Sequence, residues 1–294
     1  MSKTAIILSF FSPCEYALPR KHFQDSIARL VNQKAEVIAV QHILPWQQPV
    51  QVPPEVNFRW YMSTSLMFYK ENLWNLAAGM TDADNLIFLD SDVLLGPVDW
   101  LRKCEVALRH HDIIQPFEFC RWLDKDGEPE KSGKDSAAKA LKKGLQPDAR
   151  KYHAGFGWGM TREAFNKLGG FFDLNVAGSG DTALTLALTP EESGKGLFAW
   201  FVKKQDASLS WKKYRENALQ QNLKIGYAEG VTASHQWHGE MKNRNYCDRD
   251  QLFVRKDDGE HPAHRREDGL LVWDDPKTHN VGPAEYFAAR REDG

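Results

Sequence analysis

The first half of the chain alternates between unbroken apolar runs and apolar residues at helical spacing. Thr4–Phe11 and Glu36–Gln41 are short runs of mostly large apolar residues, which is typical of buried strands. Between them, apolar residues recur every three or four positions over His22–Asn32, which predicts a helix. A strand, a helix and a second strand in this order predict a parallel sheet, with a crevice beyond the carboxyl ends of its strands.

A third apolar run, Asn85–Leu95 (NLIFLDSDVLL), is interrupted by two carboxylates, Asp90 and Asp92. The uncharged residues before them predict another buried strand of the same sheet. Side chains two positions apart on an extended chain point the same way, so both carboxylates are expected to face the crevice. Two hard oxygen ligands suit Mg²⁺ or Mn²⁺ bound to a diphosphate, whereas the alternative is a strand-end turn with two solvated acids.

The same periodicity predicts the remaining helices and strands. The predicted helices are Ser65–Gly79, Pro97–His110, Arg162–Leu168 and Leu209–Leu223, and the predicted strands are Ile113–Phe119 and Ile225–Ser234, with a further apolar run at Leu197–Val202. The buried stripe of the helix at Ser65–Gly79 leaves four residues on or near its other side: Lys70, Glu71, Trp74 and Asn75.

Two glycine-rich stretches carry candidate chemistry. Tyr152–Met160, YHAGFGWGM, is either a packed strand or a flat aromatic surface, with Phe156 and Trp158, that can seat a sugar or a base. Asp181 follows the flexible turn Gly178–Gly180 and opens a helix. It is either an N-terminal cap or a carboxylate that the helix dipole keeps ionised.

The segment Leu123–Lys151 breaks the pattern of strands and helices, and its glycines and proline predict a mobile excursion from the sheet. Within it, Lys131–Lys151 holds seven basic residues against two acidic ones. These residues form either a solvated face or a surface that contacts the phosphates of an anionic acceptor, with Lys139, Lys142 and Lys143 at its centre.

The motif HQWHG brings His235, Trp237 and His238 together, and Arg244 and Arg249 follow it. Two histidines three positions apart can reach one site, but they make a weak zinc motif without further ligands. The two arginines can hold phosphate bidentately.

Beyond Arg255 the chain becomes charged and contains the sequence RREDG twice, at 265–269 and 290–294. This change predicts a domain over residues 1–255 and an extension over residues 256–294. The extension is expected to pack on the domain through Leu270–Trp273 and Tyr286–Phe287.

Composition narrows the range of partners. The 294 residues, 42% hydrophobic and 12% aromatic, describe a globular protein, and a formal net charge of -2 gives no overall attraction to nucleic acid or membrane. Four widely spaced cysteines speak against a disulfide framework and structural zinc. With neither a signal peptide nor a segment of transmembrane length, a cytoplasmic protein is expected. The chain has no GxGxxG after its first strand and no GxxxxGK[ST], which disfavours Rossmann dinucleotide and P-loop sites.

Five stretches in order, IILSFF, KENLWN, LIFLDSD, GGFFDLNVAGSGD and the late HQWHG, resemble the GT-A-fold glycosyltransferases. These are nucleotide-sugar-dependent enzymes whose metal site is a DxD motif. The resemblance covers residues 4–255 and implies an α/β fold, with a Rossmann-like, mostly parallel sheet flanked by helices, in a single domain with a C-terminal extension. It also implies a nucleotide-sugar donor, UDP-linked by preference, and Mn²⁺ or Mg²⁺ as cofactor.

The resemblance also implies roles for individual residues. Asp92 is expected to bind the metal ion, Asp90 to contact the metal ion or the ribose of the donor, and His238, or else His235, to complete the metal shell. Together with the patterns above, the expected donor-binding residues are Ser9, Phe10, Phe11, Lys70, Glu71, Asn75, Asp90, Arg244 and Arg249. The expected acceptor-binding residues are Phe156, Trp158, Trp237, Lys139, Lys142 and Lys143.

Asp181 matches the acid that deprotonates the acceptor hydroxyl in inverting members, although the family's usual Glu-Asp pair is Gly180-Asp181 here. The expected function is therefore transfer of a sugar to a hydroxyl of a saccharide, a small molecule or a hydroxymethylated base in DNA. One alternative is a sugar nucleotidyltransferase, against which stands SPCEYALPRK in place of a glycine- and arginine-rich loop. The other is a carbohydrate- or nucleotide-binding module without activity.

Overall fold

The computed structural model describes residues 2–189, 208–245 and 248–294, and its strands form two sheets and a small hairpin. The strands are β1 (Thr4–Phe10), β2 (Glu36–Ile43), β3 (Asn57–Met62), β4 (Asn85–Leu89), β5 (Val93–Gly96), β6 (Ile113–Gln115), β7 (Phe119–Leu123), β8 (Pro129–Ser136), β9 (Tyr152–His153), β10 (Gly157–Thr161), β11 (Ile225–Tyr227), β12 (Thr232–His235), β13 (Ala263–Arg265) and β14 (Leu271–Trp273). The helices are α1 (Ala17–Leu30), α2 (Lys70–Ala78), α3 (Trp100–Leu108), α4 (Ala137–Leu141), α5 (Arg162–Leu168), α6 (Gly180–Ala187), α7 (Leu209–Gln220), α8 (Pro276–His279) and α9 (Val281–Ala289). The predicted apolar run at Leu197–Val202 lies outside the described residues.

The central sheet has seven strands in the order β11-β6-β10-β4-β1-β2-β3. β1 pairs in parallel with β2 and β4, so that Ile7 lies opposite both Ile38 and Phe88, whereas β10 runs against β4 and β6. Ile7 packs into the apolar core on one face of the sheet, and Ile6 and Leu8 pack into the core on the other. Burial on both faces explains the unbroken apolar runs. The prediction of a mostly parallel α/β sheet flanked by helices is confirmed.

The second sheet has five strands in the order β5-β12-β7-β8-β9. The predicted run Asn85–Leu95 is divided between the two sheets, because the chain turns at Asp90 and β5 leaves to pair with β12. The predicted strand Ile225–Ser234 is likewise two strands, β11 in the central sheet and β12 in the second. Since His235 pairs with Val93, this crossover places the end of β12 beside Asp92.

The basic segment 123–151 contains regular structure. β8 pairs antiparallel with β7, with Asp135 opposite Phe119, and β9 adds to β8. Ser136 caps α4 by accepting from the Lys139 amide, and the alanines of this short helix are buried. The segment therefore forms one side of the second sheet, and its mobility stays a prediction.

Helix α2 begins at Lys70, five residues later than predicted, and it is covered on more than one side. Trp74, predicted on or near the outer side, is fully buried against Phe88 and Phe171, with ring centroids 5.6 and 5.1 Å away. Residues from the 256–294 segment cover the same helix: the Asn72 side chain donates to the Gly269 carbonyl at 3.2 Å and accepts from the Leu271 amide at 3.0 Å. The hydrophobic periodicity assumed that only one face of the helix is buried, and for this reason the predicted position of Trp74 was wrong.

The segment 256–294 lies against the rest of the chain through large apolar side chains. Leu270, Leu271 and Trp273 are buried, and so are Tyr286 and Phe287 on α9. The Trp273 indole donates to the Leu66 carbonyl at 3.0 Å. No helix in the described part of the chain is long and apolar enough to cross a membrane.

Candidate active site

A cavity of about 490 Å³ opens at the carboxyl ends of β1 and β4, where the sequence predicted a crevice. Its lining includes most of the residues that the sequence singled out. These are Ser9, Phe10, Phe11, Lys70, Glu71, Asp90, Asp92, Phe156, Asp181, His238, Arg244 and Arg249. The parallel order of β1 and β4 explains why the first and third apolar runs end at one place.

On one side of the cavity, a carboxylate and two imidazoles converge. Asp92 Oδ2 lies 2.8 Å from His238 Nε2 and 3.4 Å from His235 Nε2, and the three ligand atoms lie within 4.8 Å of one another. Asp92 Oδ1 is buried without a hydrogen-bond partner. One oxygen and two nitrogen donors at this spacing fit a divalent cation. The sequence left His235 and His238 as alternatives, and the structure brings both beside Asp92.

The charges of this cluster follow from its surroundings. Burial opposes ionisation of Asp92, but His235 and His238 hold its pKa well below the usual range. Burial lowers the pKa of His235, whose ring stacks on Phe156 at a centroid distance of 5.0 Å. For His238, burial is outweighed by hydrogen bonds to Asp92 and Glu292, which raise its pKa.

Lys70 forms a second cluster in the cavity, with three carboxylates. Its Nζ lies 2.6 Å from Asp181 Oδ2, 3.2 Å from Asp90 Oδ1 and 3.7 Å from Glu71 Oε1. Burial opposes the charge, but Asp181, Asp90 and Glu71 raise the pKa of Lys70 well above its usual value. Burial also raises the pKa of Asp90 to about 6, with Asp181 and Asp92 adding to the effect of burial and Lys70 opposing it. Asp90, predicted as a metal ligand, therefore contacts an ammonium group and is not part of the Asp92 cluster.

Asp181 does not cap its helix. The N-cap of α6 is Ser179, in the left-handed region with φ 72°, and no side chain there makes a capping hydrogen bond. Asp181 Oδ2 instead faces Lys70, and its Oδ1 is buried without a hydrogen-bond partner. The carboxylate thus points into the cavity rather than to the backbone of its own helix.

Glu71 occupies the place beside Asp181 that Gly180 leaves open. A Cβ at Gly180 would lie 2.1 Å from the Glu71 Cδ, which is a collision. Burial, together with Asp181 and Asp90, raises the pKa of Glu71 to about 7 against the opposing charge of Lys70. The carboxyl group that the sequence resemblance found missing at position 180 is therefore supplied in space from α2.

Three arginines line the cavity, and the sequence singled out two of them. Arg249 donates to Ser179 Oγ at 2.7 Å and stacks on Phe68 with its guanidinium carbon 4.8 Å from the ring centroid. Arg244 Nη2 lies 2.9 Å from His238 Nε2. Arg290, which the sequence analysis missed, lies over the same Phe68 ring at 5.6 Å. Its only sequence signal was the second RREDG.

Three predicted aromatic or amide residues lie outside the cavity. Trp158 is fully buried in the core, where its indole donates to the Ala154 carbonyl at 3.1 Å, because alternate residues of β10 face opposite sides of the sheet. Asn75 donates to the Phe171 carbonyl at 2.9 Å and accepts from its amide at 2.8 Å, and so fixes a loop. Trp237 is half-buried and does not line the cavity.

The predicted acceptor-binding lysines also lie outside the cavity. Lys139 is ion-paired with Glu118 at 3.0 Å and with Asp135 at 3.1 Å. Lys142 lies over the Tyr227 ring at 5.3 Å, and Lys143 is exposed. The basic character of this segment is thus partly neutralised within the protein.

A wall that the sequence analysis did not identify comes from the second sheet. Trp122, Tyr152 and His153 line the cavity there. Burial lowers the pKa of His153 to about 3, and its Nε2 is buried without a hydrogen-bond partner. A Cβ at Gly155 would lie 3.0 Å from His153 Nε2 and 3.4 Å from Asp181 Oδ2, so this glycine separates the two groups. Tyr152 and His153 belong to the glycine-rich stretch Tyr152–Met160, of which the sequence analysis singled out only Phe156 and Trp158.

No protein-family model and no curated protein matches the chain. Among solved structures, S. aureus TarS 1-349 is similar at 11% identity over 85% of this chain, with a TM-score of 0.48, and the chain spans 62% of that fragment. A Drosophila β1,4-galactosyltransferase 7 mutant in complex with manganese, UDP-Gal and xylobiose is similar at 12% identity over 63% of this chain and 60% of that one, with a TM-score of 0.34. Both TM-scores lie below 0.5, so neither likeness assigns a function to this chain.

Proposed function

We propose that this protein is a metal-dependent, GT-A-type glycosyltransferase that moves a sugar from a nucleotide-diphosphate sugar to an acceptor hydroxyl with inversion. The observation that carries the proposal is that a cluster able to bind a metal ion and a carboxylate able to accept a proton line the same cavity. Asp92, His235 and His238 form the first, and Asp181 is the second. A cavity of about 490 Å³ is large enough for a nucleotide sugar.

Asp92, His235 and His238 would hold the metal ion. Imidazole nitrogens suit first-row transition ions better than Mg²⁺, so this donor set favours Mn²⁺ over Mg²⁺. When bound, such an ion supplies Lewis-acid stabilisation of negative charge on a diphosphate.

The donor would lie along the arginine side of the cavity. Arg244, Arg249 and Arg290 present guanidinium groups that match phosphate oxygens, and their positive charge stabilises the leaving diphosphate. Ser9 and Phe11, at the end of β1, would receive the base. The resemblance of the sequence to GT-A-fold glycosyltransferases favours UDP as the nucleotide of the donor.

In the transfer step the acceptor oxygen forms a bond to the anomeric carbon, while the bond from that carbon to the diphosphate oxygen breaks with its electron pair. The hydroxyl proton passes to Asp181. Lys70 Nζ, 2.6 Å from Asp181 Oδ2, orients this carboxylate toward the cavity. A positioned base of this kind contributes on the order of 10² to 10⁴ in rate.

The acceptor would enter along the wall of Trp122, Tyr152 and His153. Aromatic faces beside a neutral imidazole suit the ring of a saccharide or another polyhydroxylated small molecule. This wall supports such an acceptor over DNA, because the predicted lysines lie outside the cavity and Lys139 already pairs with acids.

A donor screen tests the proposal. UDP-, GDP- and other nucleotide sugars are incubated with the protein, Mn²⁺ and a panel of saccharide acceptors, and nucleoside diphosphate release is measured against an Asp92→Ala blank. The expected result is release from one nucleotide class that chelator abolishes. Pyrophosphate release would identify a nucleotidyltransferase, and full activity in chelator would exclude the metal-dependent mechanism.

A further inference from the structure

Glu292, in the segment 290–294, contacts His238 of the metal-ligating cluster. The sequence predicted that this cluster belongs to the domain of residues 1–255, which does not include Glu292. Its Oε1 lies 3.0 Å from His238 Nδ1, and the Glu292 side chain is mostly buried. Arg290 Nε donates to the same carboxylate at 3.0 Å. The Glu292 carboxylate is therefore fixed against one nitrogen of the His238 ring.

The two nitrogens of His238 have different partners. A carboxylate oxygen accepts, so Nδ1–H donates to Glu292 Oε1. The other nitrogen, Nε2, lies 2.8 Å from Asp92 Oδ2 and 2.9 Å from Arg244 Nη2. The hydrogen bond at Nδ1 therefore leaves Nε2, on the side of Asp92, as the nitrogen that can ligate a cation.

The position of Glu292 is fixed by its neighbours in the chain. Asp293 accepts from the Ala17 and Leu18 amides at the start of α1, at 3.0 and 2.7 Å. Tyr16 accepts from the Arg291 amide at 3.1 Å. The segment is therefore anchored to the first helix of the domain, on both sides of Glu292.

Gly239, directly after His238, allows the segment to come this close. Its φ of 85° favours glycine, and a Cβ there would lie 2.7 Å from the Arg291 carbonyl oxygen. The last residue of HQWHG is thus required by the approach of the segment that carries Glu292.

We propose that Glu292 is a positioning residue for the metal centre: it fixes the tautomer and orientation of His238, so that Nε2 ligates the cation beside Asp92 and His235. Segment 290–294 acts as a strap that completes this centre. The inference rests on the proposed metal site, and it assigns a function to the second RREDG that the first copy does not share. Arg265 of the first copy instead binds Asp173.

The test is the dissociation constant of Mn²⁺ alone, measured by calorimetry or water-proton relaxation on the full chain. Removing the partner of a ligating imidazole typically weakens metal binding by about 10- to 100-fold. Glu292→Ala is expected to lie in this range, and Glu292→Gln, which keeps an acceptor oxygen for Nδ1–H, between Ala and wild type. The matched control is Glu285→Gln, an exposed acid on α9 that loses the same charge and should bind as wild type.

The expected order of Mn²⁺ affinities, with Glu292→Gln between Glu292→Ala and wild type, distinguishes a positioning role from a merely structural one. Thermal unfolding of each variant checks that it is folded. If Glu292→Ala is too unstable to titrate, Glu292→Gln alone decides by its affinity relative to Glu285→Gln. Wild-type affinity in folded Glu292 variants would overturn this inference and leave the metal site standing. Absence of Mn²⁺ binding in the wild type would overturn the metal site and this inference together.

Discussion

Two clusters of ionisable side chains line the cavity, and they differ in the partners of their carboxylates. On one side, Lys70 lies among Asp181, Asp90 and Glu71, so the carboxylates have a cation built into the chain. On the other, Asp92, His235 and His238 direct acceptor atoms toward one point. A side with its own ammonium needs no metal, whereas the other side can gain from a bound cation.

Asp90 and Asp92 are only two positions apart in the chain, but they belong to different clusters. The pKa of Asp90 is raised to about 6, chiefly by burial, whereas the histidines hold that of Asp92 well below its usual range. The two carboxylates of a DxD sequence thus have different surroundings, and we infer different tasks. Asp92 would ligate the metal, and Asp90 would orient Lys70.

The largest expected effect comes from removing the charge of Asp92. Asp92→Asn should weaken Mn²⁺ binding by on the order of 100-fold or more and reduce transfer to background, because a carboxylate ligand is lost. Asp90→Asn is the matched variant and should leave Mn²⁺ affinity within a few-fold of wild type. Titration of both variants with Mn²⁺ decides. Equal losses of affinity would contradict the division of tasks.

The second effect concerns the Lys70 side alone. Asp181→Asn should lower turnover by about 10²- to 10⁴-fold, because an amide cannot take the hydroxyl proton. The Mn²⁺ dissociation constant should not change, since Asp181 contacts Lys70 and is not one of the three residues of the cluster. Glu163→Gln, an exposed acid-to-amide change on α5, is the control. Unchanged turnover in Asp181→Asn would remove this residue from the mechanism.

The third effect is on stability. Lys70→Met leaves three carboxylates without their cation, and breaking a buried ion pair in this way costs about 3–5 kcal/mol. The folded-state pKa values of Glu71 and Asp90, about 7 and about 6, are raised even with Lys70 present. A raised carboxyl pKa gives stability that is lost as pH rises through the folded value.

In urea unfolding, the loss of stability of Lys70→Met relative to wild type should therefore be largest at about pH 8 and much smaller at about pH 5. Lys70→Arg keeps the charge and is the control. A deficit that does not depend on pH would mean that Lys70 acts through packing against Trp74, over whose ring it lies at 4.9 Å, and not through the carboxylates.

The hydrophobic pattern of the chain predicted the main strands of the central sheet and some of the residues that line the cavity. The runs that became β1 and β4 are buried on both faces, so their apolar composition identified them, and the parallel sheet predicted a crevice at their carboxyl ends, which Ser9 and Asp92 line. Partners fixed by tertiary contact were not predictable. Trp74 is buried because α2 is covered from several sides, and Glu292 reaches His238 through a segment with no periodicity of its own.

The second sheet shows the same limit more clearly. Val93 resumes the apolar run directly after Asp92, and nothing local indicates that it leaves the central sheet to pair with His235. That crossover creates the metal-ligating cluster. The sequence could therefore supply Asp92 and His238 as candidates, but their contact depends on strand pairing between residues that are far apart in the chain.

The smallest expected effect tests the packing that joins Glu71 to Asp181. Gly180→Ala would place a Cβ 2.1 Å from the Glu71 Cδ, so the variant should lose about 1–3 kcal/mol of stability through overpacking. At Gly96 a Cβ would have no atom within 4 Å, so Gly96→Ala is the control. In the double variant Gly180→Ala with Glu71→Ala, the cost of the alanine at 180 should fall by at least about 0.5 kcal/mol, since the colliding carboxyl is gone. Additive losses in urea unfolding would mean that Glu71 does not fill the space beside Asp181, and Lys70 would then hold two carboxylates rather than three.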